Sequence, residues 1–211
     1  MIVKIALRKT SLVDYPGRVS SVFFFPGCNL FCPWCQNPDL ILGKENKEFI
    51  SLEEGLAHIK KRRAVLGGVV LSGGEPCLYN EIPDLIREIK ECGLPVKLDT
   101  NGMVPDMLER IFSRDYTRPD YIALDLKLAP GRYRELLPES LPDPANVFNP
   151  EEALIKSAAL IREAGIAHEY RSLALPRGFI DETDIEALAP LADGAPWYFR
   201  PFRGGNCLDS A

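Results

Sequence analysis

The 211-residue chain is predicted to be an α/β protein, an open, partial (β/α)6 TIM-like barrel with parallel strands. Three observations carry that prediction. Strand-like and helix-like segments alternate along nearly the whole length, which implies a parallel sheet with right-handed crossovers. There are six such units, too few for a closed eight-unit barrel. The residues most suited to chemistry follow the strand candidates, where the C-terminal ends of a parallel sheet gather them.

The elements follow in chain order. Ser21–Phe25 is the first strand candidate. A helix is predicted over Ser51–Arg63, opened by the capping box of Ser51 and Glu54. After the apolar strand Gly68–Leu71, a helix over Asn80–Glu91 has Asn80 as its cap and Pro83 in its first turn, and Gly93 stands where a C-terminal glycine belongs. Strand Pro95–Asp99 and helix Pro105–Phe112 follow. In strand Tyr121–Leu128 alternation puts Ile122, Leu124, Leu126 and Leu128 on one face and Ala123, Asp125 and Lys127 on the other. The Pro-rich stretch Leu136–Pro150 reads as a surface loop. Helix Pro150–Ala164 stops at Gly165, strand Ala167–Leu173 places Glu169 and Arg171 on one face, and helix Asp181–Leu191 and strand Trp197–Pro201 complete the series. Without a repeat or linker, residues 1–211 are read as one domain, with 1–20 a lead-in and 204–211 a tail.

Bulk properties exclude several classes. Net charge is 25 − 30 = −5 with no basic run, against nucleic acid as a partner. No apolar stretch approaches the roughly 18 residues of a membrane span. The start is too short and too soon charged for a signal peptide, so a cytoplasmic location is expected. In such a chain, clustered cysteines are metal ligands more often than bridges. Cys77, Cys92 and Cys207 lie far apart and are read as buried thiols.

The other three cysteines are spaced C-x3-C-x2-C: Cys28, Cys32 and Cys35, within Phe25–Asn37. A structural zinc site or an ordinary iron–sulfur cluster takes four protein ligands. Three thiolates therefore either await a distant fourth ligand or leave one metal position open to a substrate or cosubstrate. Ser72-Gly73-Gly74-Glu75-Pro76 follows the second strand, a plain turn or a place where exposed backbone meets a ligand. Asp99-Thr100-Asn101-Gly102 follows the third. Asp99 lies beside the strand bearing Asp125, and such neighbours share a proton or hold a cation; helix capping by Thr100 or Asn101 is the alternative. Asp125, Lys127, Glu169 and Arg171 inside a barrel make an internal ion-pair network, a polar cavity for a charged cosubstrate, or both. His58 and His168 are read as ordinary.

These residues resemble the radical S-adenosylmethionine (SAM) enzymes, whose C-x3-C-x2-C with an aromatic before the last cysteine is matched by Cys28, Cys32, Trp34 and Cys35. The resemblance implies one [4Fe–4S] cluster on the three cysteines, its fourth iron chelated by SAM, and a Gly-Gly-Glu-Pro segment, Gly73–Pro76, holding the methionyl amino group. Within the superfamily the chain is most similar to activating enzymes of glycyl radical enzymes, through Asp14-Tyr-Pro-Gly17, Cys35-Gln-Asn37, Leu98-Asp-Thr-Asn-Gly102 and Leu124-Asp-Leu-Lys127. That likeness implies SAM contacts from Trp34, Asn37, Ser72, Asp99, Asn101, Lys127 and Arg171 as well. It also implies a monovalent cation at Asp99, Thr100 and Asp125. It further implies hydrogen abstraction from a glycine Cα of a partner resembling anaerobic ribonucleotide reductase or pyruvate formate-lyase, with flavodoxin or ferredoxin as reductant. The short, cysteine-free stretch Asn37–Ile50 leaves no place for a second cluster. Phe199–Arg203 departs from the histidine some activators carry near the last strand. The alternatives are a radical SAM enzyme acting on a small molecule, in the manner of 7-carboxy-7-deazaguanine synthase, and a non-catalytic metal or electron-transfer module.

Overall fold

The computed structural model describes residues 3–42, 48–138, 148–175, 179–202 and 207–208. Residues 139–147 of the predicted surface loop, Arg203, and the tail apart from Cys207 and Leu208 lie outside the described residues, as do the first two of the lead-in. In chain order the elements are β1 (Lys4–Tyr15), β2 (Arg18–Phe25), α1 (Pro38–Ile41), β3 (Phe49–Ser51), α2 (Leu52–Arg62), β4 (Gly68–Gly73), α3 (Ile82–Glu91), β5 (Val96–Thr100), α4 (Pro105–Phe112), β6 (Tyr121–Asp125), α5 (Pro150–Glu163), β7 (Ala167–Ala174), α6 (Glu182–Ala192) and β8 (Trp197–Pro201).

The described strands form one sheet in the order β3-β1-β2-β4-β5-β6-β7-β8, with β3 and β8 as its free edges. From β2 to β8 every pairing is parallel. These are the six predicted strands, and the sheet stays open. Helices are where capping and glycine signals put them. Ser51 and Glu54 make the reciprocal capping box of α2, and Gly93 and Gly165 adopt the left-handed conformation after α3 and α5.

Three local expectations are corrected. The lead-in is a long strand: β1 turns at Pro16–Gly17 and pairs antiparallel with β2, while β3 pairs with its start. Helix α3 begins at Ile82 with Glu81 at its N-cap, because the Asn80 side chain instead accepts from Arg110 (2.9 Å). Strand β6 ends at Asp125, since the Lys127 N–H turns away to the buried Tyr133 hydroxyl (2.9 Å); Leu126 and Leu128 still bury.

The two sheet faces differ in chemistry. Outward, Phe23, Phe25, Val69, Leu71, Val96, Leu98, Ile122 and Leu124 are fully buried beneath Ile59, Ile86, Ile111, Leu154 and Ile161 of the helices. Each such side chain contributes roughly 1.5–3 kcal/mol. Inward, the parallel register lines up Val22, Val70, Lys97 and Tyr121 in one row, Ala123 and Glu169 in the next, and Asp125, Arg171 and Tyr198 above them. No described helix is long and apolar enough to cross a membrane.

Candidate active site

The cysteine loop leaves β2 through Pro26 and Gly27, and Gly27 takes a positive φ of 78°. The loop is fastened edge to edge to the end of β4. Gly74 N–H donates to Phe25 O (2.8 Å), Glu75 N–H donates to Gly27 O (2.9 Å), and the Tyr79 hydroxyl donates to Pro26 O (2.6 Å). This approach has room for glycine alone: a Cβ on Gly74 would lie 1.8 Å from Gly27 O, and one on Gly73 2.4 Å from Phe25 N. The predicted Gly-Gly segment is thus a seam between two loops as well as half-buried backbone at a strand end.

Within the loop, Cys28 Sγ accepts from Leu30 N–H and Cys35 Sγ from Asn37 N–H, both at 3.4 Å. Asn101 Nδ2 adds a donor to Cys28 Sγ at 3.6 Å. Burial pushes the Cys28 thiol up to about 12, Cys32 to about 11, and Cys35 upward, while Lys127 acts on all three in the opposite sense. Three thiols in a shielded loop opposite a cation, with N–H groups supporting Cys28 and Cys35, are a donor set whose chemistry suits a thiolate-bound iron–sulfur cluster. Trp34 is buried at 7% exposure and meets Phe179 edge-on with ring centroids 5.6 Å apart, so it anchors the loop in the core.

Glu75 does not point into the barrel. Fully buried, its carboxylate accepts from Cys77 N–H (3.0 Å), Thr100 Oγ1 (2.8 Å) and Asn101 N–H (2.7 Å), binding the β4 and β5 ends together. Burial raises its pKa, and those donors resist the rise. Asn101 in turn donates to Asn29 Oδ1 (2.9 Å) and accepts from Met103 N–H (2.9 Å). It does not cap α4, whose N-cap is Val104. Changing Glu75 to Gln puts an amide NH2 against one of these donors, so we expect a loss of about 2 kcal/mol. A urea melt of the metal-free protein, with a midpoint well below wild type, checks this.

The inner face carries a chain of alternating charges. Lys127 pairs with Asp125 (3.3 Å), Arg171 reaches Asp125 (2.9 Å) and Asp99 (3.2 Å), and Asp99 pairs with the fully buried Lys97. Ser72 donates to Asp99 (3.0 Å) and Tyr121 to Glu169 (3.0 Å), while Lys97 and Arg200 each stand 3.9 Å from Glu169. Burial opposes ionisation of the two aspartates, yet Arg171 and the lysines outweigh it: Asp99 is lowered, and Asp125 falls to about 2. The expected internal network therefore exists, with Lys97 as a member that the sequence reading missed. Lys97-Leu-Asp99 repeats the alternation that marked Asp125-Leu-Lys127, so the signal was present. The proposed cation ligands do not assemble through their side chains. Thr100 Oγ1 is turned to Glu75, while Asp99 and Asp125 are occupied by cations.

The remaining candidates for a fourth ligand separate clearly. The fully buried Cys77 thiol packs against Glu75 and Thr100. Cys92 donates back to Glu88 O (3.2 Å) in its own helix, and His58 Nε2 lies 3.4 Å from Ser21 Oγ.

The family model described as the radical SAM superfamily matches residues 22–189. A Methanocaldococcus jannaschii protein provisionally named a glycyl-radical enzyme activating enzyme is 34% identical over 180 residues, covering 85% of this chain and 70% of its own. The pyruvate formate-lyase-activating enzyme of Clostridium pasteurianum is 34% identical over 127 residues, 58% of this chain and 51% of that one. Among solved structures, QueE from Escherichia coli shares the fold at a TM-score of 0.56 and 20% identity, over 95% of this chain and 84% of the other.

Proposed function

This chain belongs to the radical SAM superfamily, and on that premise we propose that it is a cytoplasmic activase, generating a glycyl radical on a partner enzyme. The family implies a [4Fe–4S] cluster and SAM. When bound, they supply one-electron cleavage of the SAM sulfonium to a 5′-deoxyadenosyl radical able to take hydrogen from a glycine Cα. Cys28, Cys32 and Cys35 would hold the cluster, with the N–H groups of Leu30 and Asn37 and the Asn101 amide supporting the sulfurs.

The rest of the site binds and excludes water. The half-buried backbone at Ser72–Gly74 would meet the methionyl amino group. Lys127 and Arg171, held by Asp125 and Asp99, would meet its carboxylate. Val22, Val70 and Tyr121 bring apolar surface to the inner face of the sheet, which would help keep water from a reactive intermediate. Strand β8 is a free edge of the sheet, which leaves the barrel open at its side for a peptide to enter. A flavodoxin or ferredoxin is the proposed electron donor.

The observation that carries the activase reading over its rival is the match to the M. jannaschii relative along 85% of the chain. The test is anaerobic reconstitution followed by reduction with dithionite. We expect about four irons per chain, cleavage of SAM to methionine and 5′-deoxyadenosine, and a glycyl radical EPR signal on a co-incubated glycyl radical enzyme. Alanine at Cys28, Cys32 or Cys35 should remove all three. Iron and SAM cleavage with a modified small molecule, and no protein-borne radical, would select the small-molecule reading.

A further inference from the structure

The helical side of the molecule carries a cleft that the site described above does not use. Helices α3 and α4 and the turn after α4 flank a volume of about 870 Å³, within the size range of small-molecule sites. None of its lining residues is a candidate for the cluster or for SAM. Four cations line it, Arg87, Lys90, Arg110 and Arg114, against two carboxylates, Asp84 and Glu91, in a chain whose net charge is −5. The excess is not spread evenly. Both carboxylates are spent on Arg87, Glu91 at 2.8 Å and Asp84 at 3.5 Å. Lys90 is balanced by Asp120 (3.6 Å) and donates to Arg118 O (2.8 Å). Among the described residues, Arg110 and Arg114 meet no carboxylate. Arg110 donates to Asn80 Oδ1 (2.9 Å) and Arg114 to the Tyr116 hydroxyl (2.6 Å), each through one nitrogen of its fork. Both are exposed and stand four positions apart, like charges that disfavour each other. A bound anion would relieve that repulsion. Tyr116, 49% exposed, lines the same cleft. The hydroxyls of Ser113 and Thr117 are turned back to Arg110 O and Ile111 O, which leaves the two arginines and the tyrosine as the groups free to meet a ligand.

We propose that this cleft binds a nucleoside triphosphate, its phosphates on Arg110 and Arg114 and its base against the Tyr116 ring. Guanidinium forks take phosphate oxygens in pairs, and an aromatic face accepts any base. The unpaired charge is confined to two neighbouring arginines beside one aromatic ring, which suits a compact anion with a flat base better than a long acidic protein segment. The site is separate from the radical chemistry and does not rest on the activase reading.

The experiment is equilibrium dialysis of the anaerobically reconstituted full chain against labelled ATP, in about 50 mM salt where screening is weak. Competitors are SAM, adenosine, inorganic triphosphate and a poly-glutamate peptide. Saturable binding is expected, unaffected by SAM or adenosine and displaced by inorganic triphosphate only at several-fold higher concentration. Arg110→Gln and Arg114→Gln should each weaken it about tenfold, and Tyr116→Leu several-fold, with melting temperatures measured on the same samples to show that each variant is folded. Arg8→Gln, on β1 and paired with Asp14, should leave it unchanged. Absence of saturable binding below about 1 mM, displacement by SAM, or unchanged affinity in the two folded arginine variants overturns the inference. Displacement of ATP by poly-glutamate at equal concentration also overturns it, and assigns the cleft to an acidic protein partner.

Discussion

Gly74→Ala is expected to dislodge the cysteine loop and, with it, the metal site. The added Cβ would stand 1.8 Å from Gly27 O and 3.4 Å from Cys28 N, both backbone atoms of the loop it faces. No rotamer relieves a clash between a Cβ and a carbonyl. The loops must therefore part, losing the bonds from Gly74 N–H to Phe25 O and from Glu75 N–H to Gly27 O. Overpacking of this kind costs about 1–3 kcal/mol, and each lost backbone bond about 1 kcal/mol more. We expect a total near 3 kcal/mol in denaturant unfolding of the metal-free protein, and iron content after reconstitution well below wild type. Gly93→Ala is the control. Its φ is positive, 79°, unlike that of Gly74, and nothing lies within 4 Å of the new Cβ. It should cost only the left-handed backbone penalty, about 1–2 kcal/mol, and leave iron loading unchanged. Equal iron content in the two variants would show that the seam does not hold the loop.

Arg171→Met should be similarly costly, for an electrostatic reason. The Arg171 side chain is 11% exposed and touches Asp125 and Asp99 at 2.9 and 3.2 Å. Its removal leaves two carboxylates in the barrel with Lys127 and Lys97 as their remaining cations. Breaking one partner from a buried charge network costs about 3–5 kcal/mol. The pH dependence separates this from a simple packing loss. In the wild type both carboxyl pKa values are lowered, Asp125 to about 2. A depressed carboxyl contributes stability above its unfolded pKa near 3.9, lost as the pH falls through the folded value. Without Arg171, burial prevails and the carboxyls rise, so the folded state takes up protons more readily than the unfolded one. The variant should therefore recover part of its deficit relative to wild type as the pH is lowered from 7 to 5. A deficit constant over that range would show that lost packing, and not unpaired charge, accounts for it. Asp125→Asn in the same background should restore part of the stability at pH 7.

The strand-and-helix order was legible because its signals are local. Helix α4 matches its predicted span, Pro105–Phe112, and β8 its span, Trp197–Pro201. Six strands, five helices, the Ser51–Glu54 capping box and the glycines after α3 and α5 follow from patterns a few residues long. Strand β1 escaped notice because irregular register at Arg8, Ser11 and Tyr15 breaks its alternation. Strand β3, at three residues, exists only through its pairing with β1.

For the site, sequence by itself determined the inventory: three cysteines in C-x3-C-x2-C, a Gly-Gly-Glu-Pro segment, and acidic and basic residues alternating on strands, all at the ends where a parallel sheet gathers chemistry. Spacing along a chain is a one-dimensional quantity, and it suffices for groups supplied by one loop or one strand. Tertiary structure alone decided how separate segments meet. It turned Glu75 away from the barrel to tie the β5 rim, made Gly74 a seam against Gly27, and set the buried Lys97 between Asp99 and Glu169. Those contacts join residues 26 to 72 positions apart in all but the Lys97–Asp99 pair, a separation no local pattern encodes.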